Sequence, residues 1–214
     1  MSTDARRDKS GSLGNSASIG NKMTNTERRH IQIRAAALRL MAKRGYYGAS
    51  MEDIAELVGV RASSLYKHID SKQSLLVDIM TTTMEELLAN FEQATMTGSI
   101  VIKLRCVMDA HVRYHALHQL EARIGNREIP SLVEPSRTVV LGLRDEYRRK
   151  WQSLIDDGIR EGDFMVRSPK LATYALLEMG IGIAQWYRVD GTLSLDEIAQ
   201  DYCEMALRLL GSKP

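Results

Sequence analysis

Residues 50–69 read SMEDIAELVGVRASSLYKHI, and this stretch decides the fold. Ser50 is an N-cap residue with Asp53 three positions on, the spacing of a capping box. Met51, Ile54, Ala55 and Val58 then recur at i, i+3, i+4 and i+7, so an amphipathic helix opens there. Gly59 ends it, because a tight turn between two helices needs a positive φ that glycine adopts without strain. A second, short helix is predicted over residues 62–69. Ala55 is small where the two helices must approach, and Val60 and Leu65 supply the apolar contacts that lock one across the other. Together these are the requirements of a helix-turn-helix, which turns Arg61, Ser63, Ser64, Lys67 and His68 outward, toward the major groove of double-stranded DNA.

Upstream, a helix is predicted from Asn25 or Thr26 to Arg44, stopped by a left-handed Gly45. Downstream, Asp70-Ser71 caps a long helix from Lys72 toward Ala94. Tyr66, Lys67, His68 and Lys72 thus gather a phenol, basic groups and a helix N-terminus, which is a phosphate-binding combination; Ser50, at the start of the first helix of the pair, joins the DNA-binding set. Charge agrees. Residues 1–72 hold 13 Lys/Arg against 7 Asp/Glu and residues 73–214 hold 16 against 20, so a net charge of +2 conceals a basic first third. Residues 1–24, rich in Ser, Gly and Asn, are predicted to form a flexible basic arm, its Arg6, Arg7, Lys9 and Lys22 adding loose phosphate contacts.

The stretch from Thr26 to Leu76 resembles the DNA-binding domain of TetR-family transcriptional regulators, whose run is similar to Gly-Val-Ser-x-x-x-Leu-Tyr-x-His-Phe-x-Ser-Lys. Here it stands as Gly59-Val60-Arg61, then Leu65-Tyr66-Lys67-His68-Ile69-Asp70-Ser71-Lys72. Two positions depart from it. Arg61 replaces the capping Ser, at a cost of about 1 kcal/mol in capping but with a guanidinium gained for guanine or phosphate, and Ile69 replaces Phe. The resemblance implies a homodimeric repressor on a palindromic operator, with a helix-turn-helix domain over 25–72 and a ligand-binding and dimerisation domain over 73–214.

That second part also reads as helical, over about 101–118, 120–125, 136–161, 169–187 and 195–210. The whole chain is therefore all-α, and nothing alternates with the period of a strand. Leu143-Arg144-Asp145-Glu146-Tyr147 to Gly162-Asp163-Phe164, with Gln185-Trp186-Tyr187-Arg188, resembles regulators of fatty-acid and steroid breakdown that respond to acyl-CoA thioesters. Where some of those place basic and aromatic groups, this chain has Leu177, Ile181 and Gln185. The expected effector site comprises Met108, His111, His115, Tyr147, Trp151, Ile181, Gln185, Trp186 and Arg188, which are apolar and aromatic groups with few polar anchors. Arg144, Arg148 and Arg188 are candidate anion anchors; the competing reading of any such stripe is plain core. The expected dimer interface, implied by the resemblance, pairs the last two helices through Ala172, Leu176, Met179, Ile183, Ile198, Tyr202, Met205 and Leu209 as a four-helix bundle.

Two alternatives compete. His111, His115 and His118 share one helical face at i, i+4 and i+7, which would suit a metal-sensing regulator; an architectural DNA binder without an effector would have no cavity. No nucleophile elbow, Walker loop or dinucleotide fingerprint is present, so an enzyme and a bound cofactor are not expected. Cys106 and Cys203 lack metal-site spacing, no secretory leader opens the chain and no apolar run spans a bilayer, so a cytoplasmic protein without membrane contact is expected.

Overall fold

A computed structural model describes residues 24–212, so all but the last residue of the expected arm lies outside the described part. Among the described residues there are nine α-helices and no strand. They are α1 (Asn25–Gly48), α2 (Met51–Val58), α3 (Ala62–Leu65), α4 (Lys72–Ala94), α5 (Ile100–Leu117), α6 (Gln119–Arg127), α7 (Ser136–Glu161), α8 (Pro169–Trp186) and α9 (Leu195–Leu209), with a 3₁₀ turn at Ile129–Ser131. None of these helices is long and apolar enough to cross a membrane.

Local signals set most of the boundaries. Ser50 and Asp53 form a full capping box at the start of α2, and Gly59 ends that helix in the left-handed region at φ 72°, ψ 37°. Ser71 with Ser74, and Ser194 with Glu197, cap α4 and α9 in the same way. Gly45 breaks α1 with φ 79° but ψ 166°, so the chain kinks there rather than closing in a left-handed cap, and a short helical turn follows. The second helix of the pair is shorter than predicted. Regular α-helix stops at Leu65, and the tighter bonds Lys67 N–H to Ser64 O and His68 N–H to Leu65 O carry the chain through 66–68.

α1, α2, α3 and the first turns of α4 form a head around Ile33, Ala37, Met41, Ile54, Leu65, Leu75, Leu76 and Ile79. That core does not end at residue 72. It continues along α4 to Met80 and takes in Ile124, Leu132 and Val140 from the body, so the two parts share packed side chains. The body buries a second core, with α8 and α9 both packed on α5 and with Trp151 of α7 fully enclosed.

Candidate DNA-binding face and effector cavity

On the head, Arg61, Ser63, Tyr66 and Lys67 are exposed around α3, while Leu65 and Ile69 between them are buried and hold the segment down. Arg61 sits at the N-cap with no side-chain capping bond, leaving its guanidinium free of that role. Ser64 and His68 are half-buried. His68 also borders a shallow groove with Asn25, Arg28 and Arg29 at the start of α1, residues that motif reading around α3 did not reach because they lie some forty positions upstream. Two expected contacts need correction. The Ser50 hydroxyl is committed to Asp53, accepting from its N–H at 3.0 Å and donating to its carboxylate at 2.8 Å. Lys72 is not a free ammonium: Nζ donates to Tyr46 O at 3.0 Å and Ala49 O at 2.9 Å, 4.4 Å from the centre of the Tyr46 ring. It ties the start of α4 to the end of α1.

The body contains a partly open cavity of about 260 Å³ lined by α4 to α8. At about 30 Å³ for each water-sized group, it takes on the order of ten heavy atoms. Its apolar wall is made by Met80, Met84, Leu87, Val140, Leu177 and Ile181. Of the nine residues expected here, His111, His115, Tyr147 and Ile181 line it. The other five do not. Met108 and Trp151 are fully buried in core, Trp151 against the rings of Phe91, His111 and Tyr147. Gln185 borders a surface groove beside Arg39 and Arg123, and Trp186 is half-exposed at the end of α8. Arg188 is exposed, on a doubly bonded ion pair with Asp190. Helical periodicity identifies an inward face, but it cannot tell core from cavity, and the last turn of α8 leaves Gln185 and Trp186 exposed.

The polar groups of the cavity are ordered by shared protons. His111 Nε2 lies 3.1 Å from Leu177 O, which can only accept, so Nε2 carries the hydrogen. Nδ1 is then a lone pair, and the Tyr147 hydroxyl donates to it across 3.0 Å. Burial pushes the His111 imidazole down to about 4 and raises the Tyr147 phenol above its ordinary value. The network needs Gly180: a Cβ there would stand 2.1 Å from His111 Cδ2.

Arg144 and Arg148 border the cavity as well. Arg144, largely buried, donates to Gly125 O at 3.1 Å, and burial lowers its pKa while Glu178 opposes that. Arg148 is held by Asp145 and Gln152. Thr83, whose hydroxyl donates to Ile79 O, and Tyr174 also line the cavity, and so do Glu121, Asn126, Asp145 and Glu178, which the sequence did not single out.

The histidine face does not converge on a cation. His111 has both nitrogens engaged, and His118 stacks on Tyr114 with ring centres 4.3 Å apart. Among the described residues no three His, Cys, Asp or Glu side chains are placed to hold a metal ion. The expected dimer contacts divide too. Ala172, Leu176, Ile183 and Ile198 are buried in the protomer's own core, where a partner cannot reach them, because the helix faces that α5 covers are the same strongly apolar ones. Met205 and Leu209 are exposed, Met179 and Tyr202 half-buried.

An outward helix-turn-helix segment on a helical body with a cavity between its helices defines a DNA-binding transcriptional regulator with a ligand-binding domain. Residues 33–79 match the bacterial regulatory proteins of the tetR family, and residues 97–210 match the tetracyclin repressor-like C-terminal domain. The chain belongs to the TetR family of transcriptional regulators. It is 28% identical over 192 residues to the HTH-type transcriptional repressor KstR2 of Rhodococcus jostii, covering 86% of this chain and 92% of that protein. A tetR-family regulatory protein from Rhodococcus RHA1 superposes with a TM-score of 0.81 at 26% identity, covering 87% of this chain and 99% of that one. AibR, solved in complex with isovaleryl coenzyme A and operator DNA, has a TM-score of 0.77 at 24% identity, covering 86% and 100%.

Proposed function

We propose that the chain is a homodimeric repressor, released from a palindromic operator when the acyl part of an acyl-CoA thioester enters the cavity. The observation that carries this is the cavity's composition: a largely apolar wall with a largely buried arginine, Arg144, among the charged groups Glu121, Asp145, Arg148 and Glu178 that also line it. A volume of about 260 Å³ admits an acyl group and leaves the nucleotide of the thioester outside, where Arg144 and Arg148 offer cations to its phosphates. That AibR is solved with isovaleryl coenzyme A supports the reading. In the dimer, the apolar stripe of α8 formed by the exposed Leu171, Ala175 and Trp186 and the half-buried Met179 and Gly182, together with Met205 and Leu209 of α9, would meet its copy.

Coupling runs through two elements. Met80 of α4 packs in the head core and also lines the cavity. α6 lines the cavity with Ala122 and Gly125, while its Arg127 donates to Met41 O and Ala42 O of α1. Filling the cavity displaces both, which changes the spacing of the recognition segments. Release requires that the effector bind the DNA-incompetent arrangement more tightly.

The test is operator binding by fluorescence anisotropy, titrated with acyl-CoA thioesters and the matching free acids. Release by thioesters of short or medium chain alone is expected, with Arg144→Leu needing about tenfold more effector, the equivalent of one charge-assisted bond. Release by free acids at equal concentration, or an unchanged response in Arg144→Leu, overturns the thioester assignment.

A further inference from the structure

His115 is 4% exposed, lines the cavity, and neither of its ring nitrogens has a hydrogen-bond partner. Nearly every buried polar group in a folded protein is paired, so a side chain at a cavity wall with both its groups unpaired calls for a partner. Its neighbours do not provide partners. The His111 ring meets it edge to face at 4.5 Å between centres and is committed to Tyr147 and Leu177. Tyr114 meets it at 5.8 Å, with its hydroxyl donated to Glu86 at 2.6 Å.

The buried hydroxyls of Tyr147 and Thr83 are equally committed. The Tyr147 hydrogen goes to His111, and Thr83 donates to Ile79 O. Burial holds the His115 imidazole far below its ordinary value, and His111, His118 and Arg144 push in the same direction, so the ring is neutral. A neutral imidazole carries one donor and one acceptor, and the tautomer can follow its partner. His115 is thus a buried lining group with both ring nitrogens uncommitted, beside the apolar Met80, Met84, Leu87, Leu177 and Ile181; the charged and amide groups Glu121, Asn126, Asp145 and Glu178 line the same cavity without being fully buried.

We propose that His115 is the specificity-determining contact of the effector site, hydrogen-bonding an uncharged oxygen function, a hydroxyl or keto group, carried on the otherwise apolar part of the effector. This rests on the cavity being the effector site. A saturated hydrocarbon chain leaves the imidazole unpaired, whereas an oxygenated one completes it. A second anion is not the match, since a carboxylate inside the cavity would be drawn to Arg144.

The test uses probes that fit the cavity: phenol against toluene, and cyclohexanol against methylcyclohexane, titrated into the full chain with ¹⁵N-labelled histidine and followed by NMR. An apolar cavity prefers the hydrocarbon, because the hydroxyl must give up its water. The expected result is that the wild type binds phenol and cyclohexanol at least as tightly as their hydrocarbon counterparts and that a His115 ring ¹⁵N resonance shifts. His115→Leu should favour the hydrocarbons about tenfold or more, while His115→Gln, which keeps a donor and an acceptor, retains the oxygenated preference. An equal hydrocarbon preference in wild type and His115→Leu, entry by neither class, or an unmoved His115 resonance overturns the proposal. The readout involves neither DNA nor thioester. Operator release by acyl-CoA without the oxygen preference would keep the effector reading and remove this one, and the converse result would remove the thioester alone.

Discussion

In the head, the outward-facing groups come from one short segment, Arg61 to His68, pinned by the buried Leu65 and Ile69; in the body, the cavity draws its groups from five helices, between Met80 and Ile181. The difference is one of purpose. A surface read by a partner needs exposed side chains on a rigid support, so its contacts and its stability are carried by different residues. A site between packed helices makes the same side chains serve packing and recognition, and Met80 and Val140 belong both to the head core and to the cavity wall. Substitutions should therefore separate binding from folding in the head and fail to do so in the body.

The largest contrast sets Trp151→Ala against Arg61→Ala. Trp151 is fully buried, and emptying its site is expected to cost about 3–5 kcal/mol. Arg61→Ala, on the exposed rim of α3, should stay within about 0.5 kcal/mol of wild-type stability and yet lose about 1–3 kcal/mol of operator affinity. Urea unfolding gives the first quantity, and anisotropy over a salt series the second. Comparable losses of stability in the two variants would erase the distinction between the regions.

Lys72 lies on the boundary between them. Its two carbonyl bonds make it a structural tie, so Lys72→Met should cost about 1–3 kcal/mol of stability by leaving Tyr46 O and Ala49 O without their donor. Its effect on the salt dependence of operator binding should be smaller than that of Lys67→Met, since the Lys67 side chain is exposed. The reverse order would restore Lys72 as a phosphate contact.

The same contrast governs what could be read from the sequence. Ser50, Gly59, Ser71 and Ser194 announce helix ends through short-range chemistry, and the structure places helix boundaries beside them. The recognition segment followed because its frame, Ala55 to Leu65, is local. The cavity depends on where helices far apart in the chain come to rest. Periodicity marked His111, His115 and Tyr147 as inward, but it could not tell them from Met108 and Trp151, which occupy neighbouring positions in solid core. Leu176, Ile183 and Ile198, expected at a dimer face, lie buried in the protomer's core for a related reason: an apolar stripe shows that a helix is covered, not by which neighbour. Lys72 escaped because its partners are backbone carbonyls, which leave no mark in a sequence.

Acid provides the smallest and most selective contrast, because it addresses the cavity alone over a defined range. Burial holds His111 at about 4 and His115 at about 2, both below the ordinary 6.5. Below pH 6.5 the unfolded chain therefore takes up protons that the native cavity refuses, so stability is greatest above that pH and falls as the pH drops. Each histidine steepens the fall by up to about 1.4 kcal/mol per pH unit. The carboxylates held low by capping, Glu27, Asp53 and Glu197, begin to contribute only near their ordinary range around 4, which leaves pH 6.5 to 5 to the histidines. Urea midpoints measured across that interval should decline in the wild type and decline less in His115→Leu, whose side chain takes up no proton in either state. An equally steep decline in the variant would show that the unfolding proton uptake belongs elsewhere, and that the cavity histidines are not held neutral by their burial.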